Sequence, residues 1–512
     1  MADVIAVGPG ALRRADVVAV AREGAQVELT AEAYQAMGVS RAHIEALASD
    51  ERPHYGVSTG FGALATRYIP AQQRSVLQQS LVRSHAAGAG PEVEAEVVRA
   101  MAVLRLRTLA TGRTGVRPST AAALADVLNA GITPVVPEHG SLGCSGDLAP
   151  LAAVALALIG EGTVRDSSGA ARPAGEALRA AGITPVALAE KEGLALINGT
   201  DGMLGMLVLA IADLPGLLAT ADLAAAMSVE ALLGTDAAFA PELIALRPHP
   251  GQAVSAARMR AVLSGSRIMA SHRNPETDTR VQDAYSLRCA PQVHGAARDT
   301  LGHGETVADR ELAAAIDNPV VLPDGRVESA GNFHGAPLAY VLDFLAVPVA
   351  DVASMAERRT DRMLDPARSC GLPPFLADTP GVDSGHMIAH YTQAAVVAEL
   401  KRLAVPASVD SIPTSAMQED HVSLGWAAAR KLRRALDGLA TVLAVELLTA
   451  ARALALRAPL RAAPATAAVV EVLRDAGAGM PGPDRHLTPE IAIATELVRT
   501  GRLLTAAEGV TP

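Results

Sequence analysis

Aromatic residues are scarce in this 512-residue chain, with one tryptophan, six tyrosines and five phenylalanines. The apolar half of the composition rests on Ala, Leu and Val, and Ala and Leu are strong helix formers. Cysteine is scarcer still: Cys144, Cys289 and Cys370 set out no disulfide framework. Their use fits a reducing compartment, and a cytoplasmic location is the expectation. No long basic run occurs and the formal net charge is −10, so nucleic acid is not an expected partner. Met1-Ala2-Asp3 lacks the basic start of a secretory signal. The strongest membrane candidate, Met203 to Ala210, is followed by Asp213 and Pro215. It falls short of the ~20 apolar residues a spanning helix needs, so no membrane is expected as a partner. The sequence shows neither an internal repeat nor a low-complexity tail.

What is present is helical periodicity. A single core rarely grows beyond roughly 250–300 residues, which implies two lobes or one lobe built on very long helices. From Gln72 onward the 3.6-residue period predicts helices over 71–86, 92–111, 118–130 and 148–159. Longer ones follow over 201–233, 252–264, 335–360, 385–404 and 423–457. Polar and small residues predict loops over 265–300, 318–334 and 405–422, and 160–190 reads as a surface excursion. Ahead of these, Val4 to Val7 is β-like, Thr30 has the position of a helix cap, and His54 to Gly62 is a glycine-spaced loop. The expected fold is mainly α: a long central helix bundle over 201–512, with a smaller N-terminal lobe over 1–200 that is loop-rich and mostly helical.

The most informative stretch is Gly140-Ser141-Leu142-Gly143-Cys144-Ser145-Gly146-Asp147-Leu148-Ala149-Pro150. Three glycines within seven residues allow sharp bending, and Asp147 is placed to cap the helix that follows. If the nitrogen of Gly146 attacks the carbonyl of Cys144, a five-membered ring closes. Loss of two waters then leaves an imidazolone with the Ser145 side chain reduced to an exposed methylene. That chemistry needs glycine third, for an unhindered nitrogen, and serine second, to eliminate its hydroxyl. The first residue supplies mainly its carbonyl, so the Cys144 side chain reads as a buried, inert sulfur. Tripeptide composition alone also allows an ordinary glycine-rich turn.

Gly140 to Leu151 resembles the signature of the aromatic amino acid lyases, the histidine, phenylalanine and tyrosine ammonia-lyases and related aminomutases, with Cys144 where alanine is usual. The resemblance extends along most of the chain and implies one lyase domain overall. It implies that Cys144-Ser145-Gly146 forms a 4-methylidene-imidazol-5-one (MIO) electrophile, with no external cofactor and no metal. Tyr55, in His54-Tyr55-Gly56-Val57-Ser58-Thr59-Gly60-Phe61-Gly62, is similar to the family's catalytic base. Asn198, in Ile197-Asn198-Gly199-Thr200, is implied to hydrogen-bond beside the ring, and Phe333, in Gly331-Asn332-Phe333-His334-Gly335, to line the pocket. In Gln282-Asp283-Ala284-Tyr285-Ser286-Leu287-Arg288, Gln282 and Tyr285 are implied to line the ring and substrate. Arg288 is implied to hold the substrate carboxylate, a task suited to its planar fork.

Glu419, in Ser415-Ala416-Met417-Gln418-Glu419-Asp420-His421, bears on the substrate. The family's histidine enzymes carry glutamate there, and the phenylalanine and tyrosine enzymes usually glutamine. A carboxylate accepts from an imidazole N–H but has no partner on a phenyl ring. His85, in Ser84-His85-Ala86-Ala87-Gly88, resembles the other half of that pocket. The implied reaction is elimination of ammonia from L-histidine to give trans-urocanate, with either the substrate amine or its imidazole attacking the electrophile. The implied assembly is a homotetramer whose active sites combine residues of several subunits. Two alternatives stay open: a tyrosine or phenylalanine lyase or aminomutase using the same electrophile, and a catalytically silent helical assembly protein. Two further patterns read as chance. Gly56-Val57-Ser58-Thr59-Gly60 fits a hydrolase elbow but follows no buried strand. His386 and His390 share a helix face but lack the glutamate of a zinc motif.

Overall fold

Alanine and leucine at helical spacing give this chain its long helices. The computed structural model describes residues 4–50, 52–60, 62–273 and 281–511. Phe61 of the glycine-spaced loop and residues 274–280 of the expected loop 265–300 lie outside the described residues. The fold is mainly α, as expected, 59% helical, with twenty helices and little sheet among the described residues. Asp201–Ala231 and Gly425–Ala455 run for 31 residues each and Ala336–Leu364 for 29. At a rise of about 1.5 Å per residue, each exceeds ~40 Å in length. Pro215 and Pro348 lie inside two of them without ending them. Around Pro215 the buried Leu214, Leu217 and Leu218 carry the helix past the missing hydrogen bond. Val4–Val7 does form a strand, paired in parallel with Gln26–Leu29. Thr30 caps Ala31–Ala48, its hydroxyl accepting from Ala33 N at 3.3 Å.

Two expectations need correcting. Residues 290–300 were expected in a loop but begin the 23-residue helix Ala290–Leu312. Its inner stripe is Ala290, His294, Ala297, Leu301, Ala308 and Leu312. The apolar spacing is helical, but Pro291, Gly295, Gly302 and Gly304 are weak helix formers, so the stretch reads as loop in the sequence. The second concerns membrane length. By length and composition, Asp201–Ala231, Ala336–Leu364 and Gly425–Ala455 are each apolar enough to cross a membrane, a property that the run from Met203 to Ala210 understates. Protein covers them here: 78%, 61% and 83% of their most apolar windows are buried.

The sequence suggests one cut at 200/201, whereas the compact units of the structure interleave along the chain. The first comprises Met1–Leu209, Gly304–Leu342 and Pro406–Arg430, and the second Ala210–His303, Asp343–Val405 and Lys431–Pro512. In the first unit, helix Ala95–Ala110 is buried on nearly every side, including Arg105 and Arg107. The second unit contains Pro250–Leu263, Met387–Leu403 and the C-terminal helices Pro464–Asp475, Thr488–Arg499 and Arg502–Glu508.

The second unit also buries charge. Arg359 forks onto Glu446, Nε to Oε1 at 2.5 Å and Nη2 to Oε2 at 2.9 Å, and Ser228 Oγ donates to the same carboxylate at 2.7 Å. Neither charged side chain reaches solvent. Breaking such a pair from one side strands a charge, at a cost of about 3–5 kcal/mol. Arg359→Met should lower the denaturant midpoint by the equivalent of that loss, and adding Glu446→Leu should recover part of it.

Candidate active site

The glycine-rich stretch at 140–147 makes a tight, buried turn. Gly146 has φ +73° and pairs with Gly199 in a parallel bridge, and Asp147 N donates to Gly199 O at 2.7 Å. A Cβ on Gly146 would fall on the Gly199 carbonyl, and one on Gly199 on the Arg105 guanidinium. Packing therefore requires glycine at 146, the residue that the expected ring closure also needs. Cys144 and Gly146 are buried, while Ser145 between them keeps partial exposure.

Asp147 does not cap the helix it precedes, contrary to expectation. Its φ of −96° and ψ of 60° lie outside the extended conformation of a capping residue. Its Oδ2 accepts instead from Gly202 N and Met203 N, both at 2.9 Å, in the first turn of Asp201–Ala231. Oδ1 accepts from Ser141 Oγ at 2.9 Å. Burial pushes the Asp147 carboxyl up to about 7, against the pull of its donors. On the other side of the turn, the Gly143 carbonyl accepts from Gly335 N at 2.9 Å and Ser423 Oγ at 2.7 Å. Leu424 N donates to Leu142 O at 2.9 Å.

Asn198 follows helix Glu192–Ile197 and is next to the Gly146–Gly199 bridge. Its Nδ2 donates to Asn318 O at 3.2 Å, which sets the orientation of the amide. Its buried Oδ1 has no hydrogen-bond partner among the described residues. The flanking backbone rests on charges that sequence reasoning missed. Arg105 Nε reaches Asp201 Oδ2 at 3.0 Å, and its Nη1 reaches Ala195 O at 3.1 Å. Lys191 Nζ meets Asp317 Oδ2 at 2.5 Å, both side chains fully buried. Asp317 Oδ1 accepts from Asn318 N at 2.8 Å. The available signal was charge inside apolar surroundings, as at Arg105 in the predicted helix 92–111.

Glu419 is brought directly to the tripeptide. Cys144 Sγ donates to Glu419 Oε2 at 2.9 Å, and Thr414 Oγ1 reaches the same oxygen at 3.3 Å. The thiol is therefore buried but engaged, and burial together with Glu419 pushes its pKa up to about 12. Thr414 and Glu419 form an antiparallel bridge around Ser415, Ala416 and Met417, with φ of +52°, +52° and +70°. His85 ends helix Arg74–His85, with Nδ1 2.9 Å from Leu81 O. Burial lowers its pKa, opposed by the Leu81 carbonyl and by Glu419. A neutral ring donating Nδ1–H to that carbonyl keeps Nε2 as an acceptor. Tyr55 Oη accepts from Gly62 N at 3.2 Å, and a Cβ on Gly62 would lie 3.2 Å from Ser415 Oγ. The tyrosine loop thus adjoins the Glu419 turn. Phe333 is half-buried two residues before Gly335. Its neighbour His334 stacks on His421, with ring centroids 5.2 Å apart.

The first unit therefore gathers Tyr55, His85, Cys144, Ser145, Gly146, Asn198, Phe333 and Glu419. Gln282, Tyr285 and Arg288 belong to the second unit. There the Arg288 guanidinium lies 4.7 Å from the Tyr285 ring centroid, and its Nε donates to Asp283 O at 2.9 Å. Both Nη groups are left without a hydrogen bond to any described residue. Tyr285 is 70% exposed, and Gln282 is exposed beside it. Ser58 is buried in a turn and accepts from His54 N at 2.9 Å, with no strand leading into it. His386 and His390 diverge, the first to Thr449 Oγ1 at 3.1 Å and the second to Glu357 Oε1 at 2.6 Å.

Residues 12–475 match the family model described as aromatic amino acid lyase. The chain belongs to this family. A histidine ammonia-lyase of Streptomyces coelicolor is 66% identical over 507 residues, 99% of each chain. One of Symbiobacterium thermophilum is 48% identical over 496 residues, 97% of this chain and 96% of that one. Among solved structures, a tyrosine aminomutase from Streptomyces globisporus superposes with a TM-score of 0.92 at 38% identity, covering 99% of both chains. A histidine ammonia-lyase from Trypanosoma cruzi gives 0.89 at 38% identity, covering 99% of this chain and 96% of that one. In this aromatic amino acid lyase, Gly199→Ala should drive Arg105 away from Asp201, a loss of about 3–5 kcal/mol for a broken buried pair. The control is Gly216→Ala, on an exposed helix position where an added Cβ meets nothing within 4 Å. It should be neutral or stabilise by up to ~1 kcal/mol, with thermal or denaturant unfolding as the readout for both.

Proposed function

We infer that the protein is a histidine ammonia-lyase, converting L-histidine to trans-urocanate and ammonia. The observation that carries this is Glu419 at 2.9 Å from Cys144, a carboxylate next to the reactive tripeptide where a phenyl ring would offer it no partner. The 66% identity to a histidine ammonia-lyase supports the same substrate. An MIO group formed from Cys144-Ser145-Gly146 fits the residues present. Gly146 admits no side chain, Ser145 keeps partial exposure, and the buried Asn198 Oδ1 has an unused acceptor. When formed, the ring supplies an electrophilic carbon for the substrate's amine or imidazole.

The remaining work is assigned to side chains. Glu419 accepts the substrate imidazole N–H, a charge-assisted bond of about 1.5–3 kcal/mol net. His85 faces the same ring with Nε2 as an acceptor, which takes a second ring N–H when the substrate binds as its imidazolium. Tyr55 takes the β-proton; a phenol with an ordinary pKa of ~10 needs its surroundings to make it a base at neutral pH. Asn198 polarises the region around Ser145, with Gln282 and Tyr285 completing an electrostatic frame for the departing nitrogen. Arg288 holds the carboxylate through its two Nη groups, and Phe333 lines the pocket. We place these residues in a homotetramer with active sites shared between subunits, to which the exposure of Tyr285 and Gln282 lends support. The proposed compartment is the cytoplasm, which the three unpaired cysteines support.

The likeness to a tyrosine aminomutase keeps one alternative in view, return of ammonia to the β-carbon. Purified protein given L-histidine should develop the ultraviolet absorbance of the conjugated acid and release one equivalent of ammonia. A β-amino acid without free ammonia would establish the mutase instead. Tyr55→Phe should lower kcat by about 10²–10⁴-fold. Glu419→Gln should lower kcat/KM for histidine by about ten- to a hundredfold. The 144–146 peptide should weigh two waters less than its sequence, and Ser145→Ala, with no hydroxyl to eliminate, should weigh what its own sequence gives and lose activity.

A further inference from the structure

The two oxygens of Glu419 are not equivalent. Oε2 takes both protein donors, Cys144 Sγ at 2.9 Å and Thr414 Oγ1 at 3.3 Å. Oε1 receives none from the described residues. A glutamate side chain is long, and its terminal torsion is broad and roughly two-fold. Donors gathered on one oxygen remove that symmetry and hold the carboxylate in a single orientation. Thr414 and Glu419 flank the same exposed turn and pair with each other, so Thr414 gives Glu419 no anchor outside that turn. Cys144 belongs to a different part of the chain, 275 residues away, and is 7% exposed. Its own segment is anchored by Gly143 O to Gly335 N and Ser423 Oγ. Of the two donors, only the thiol ties Glu419 to the rigid turn that carries Ser145. With its pKa pushed up to about 12, the thiol keeps its proton, and so its donor role, across neutral pH.

We propose that Cys144 is a positioning residue for substrate recognition: its thiol hydrogen bond fixes Glu419 Oε2 and turns Oε1 to the imidazole of the substrate. The proposal rests on the histidine ammonia-lyase reading above. It gives the first residue of the tripeptide a role for its side chain as well as its carbonyl. Alanine at 144 would still supply the carbonyl for ring closure but would leave Glu419 held by Thr414 alone.

The test is Cys144→Ala and Cys144→Ser, each made in the native chain and again with Glu419→Ala, which removes the acceptor. Peptide mass of residues 144–146 reports ring formation, and steady-state kinetics with L-histidine report recognition. In Cys144→Ala the peptide should lack two waters, and KM should rise about three- to tenfold, the scale of one hydrogen bond, with kcat falling by less. Cys144→Ser restores a donor and should return KM toward the native value. With Glu419→Ala present, Cys144→Ala should add little further change. An unchanged KM in Cys144→Ala overturns the proposal, as does an equal rise in both backgrounds, which would mark simple packing. Retention of both waters in Cys144→Ala also overturns it, because the thiol would then serve ring closure. Failure of the native enzyme to convert histidine would instead overturn the functional reading.

Discussion

The contact between Gly146 and Gly199 is the constraint on which the candidate site depends. Two backbones approach with no side chain between them, and Asp147 N closes the contact on Gly199 O at 2.7 Å. The Asp147 carboxylate then takes the first N–H groups of Asp201–Ala231. Unsatisfied N–H groups at a helix start need such an acceptor. The turn at 143–147, the asparagine beside Gly199 and the start of a 31-residue helix thus become one rigid object. A ring-closing reaction within a peptide needs this rigidity, because the attacking nitrogen and the carbonyl must be held close before any bond forms.

Holding that object in place requires buried charge. Arg105 with Asp201, and Lys191 with Asp317, lie within the first unit and are closed to solvent. Such pairs contribute little net stability, since desolvation offsets most of their attraction. Their geometry is strict, however: Arg105 also donates to Ala195 O, and Asp317 accepts from Asn318 N. The two pairs therefore define the backbone on both sides of Asn198, whose Nδ2 in turn leans on Asn318. The Ser415–Met417 turn carries the opposite kind of cost. Three successive non-glycine residues with positive φ are strained by about 1–3 kcal/mol each. The Thr414–Glu419 bridge and the Cys144 thiol hold Glu419 within that turn.

Much of this was legible in the chain. Local motifs single out the tripeptide, Tyr55, His85, Asn198, Phe333 and Glu419, and the structure has them in one unit. The charges beneath them were not recognised. Arg105 and Lys191 belong to no motif, and their partners lie 96 and 126 residues away. Helix Ala290–Leu312 was hidden for a different reason. Its buried stripe is spaced correctly, but Pro291 and three glycines sit within the helix, residues whose low helix propensity reads as loop.

By itself, the order of amino acids determined the long helices, because alanine and leucine repeat at 3.6-residue spacing over spans that little else interrupts. It also determined the Cys144-Ser145-Gly146 tripeptide, because the ring closure we propose depends on three adjacent residues and their own backbone. Only the tertiary structure decided where Asp147 directs its carboxylate, since that follows from the turn at Gly146 and from a helix start 55 residues ahead. Only the tertiary structure joined Cys144 to Glu419. A hydrogen bond across 275 residues leaves no periodicity, spacing or composition to read, and it exists because three separate segments are packed against one turn.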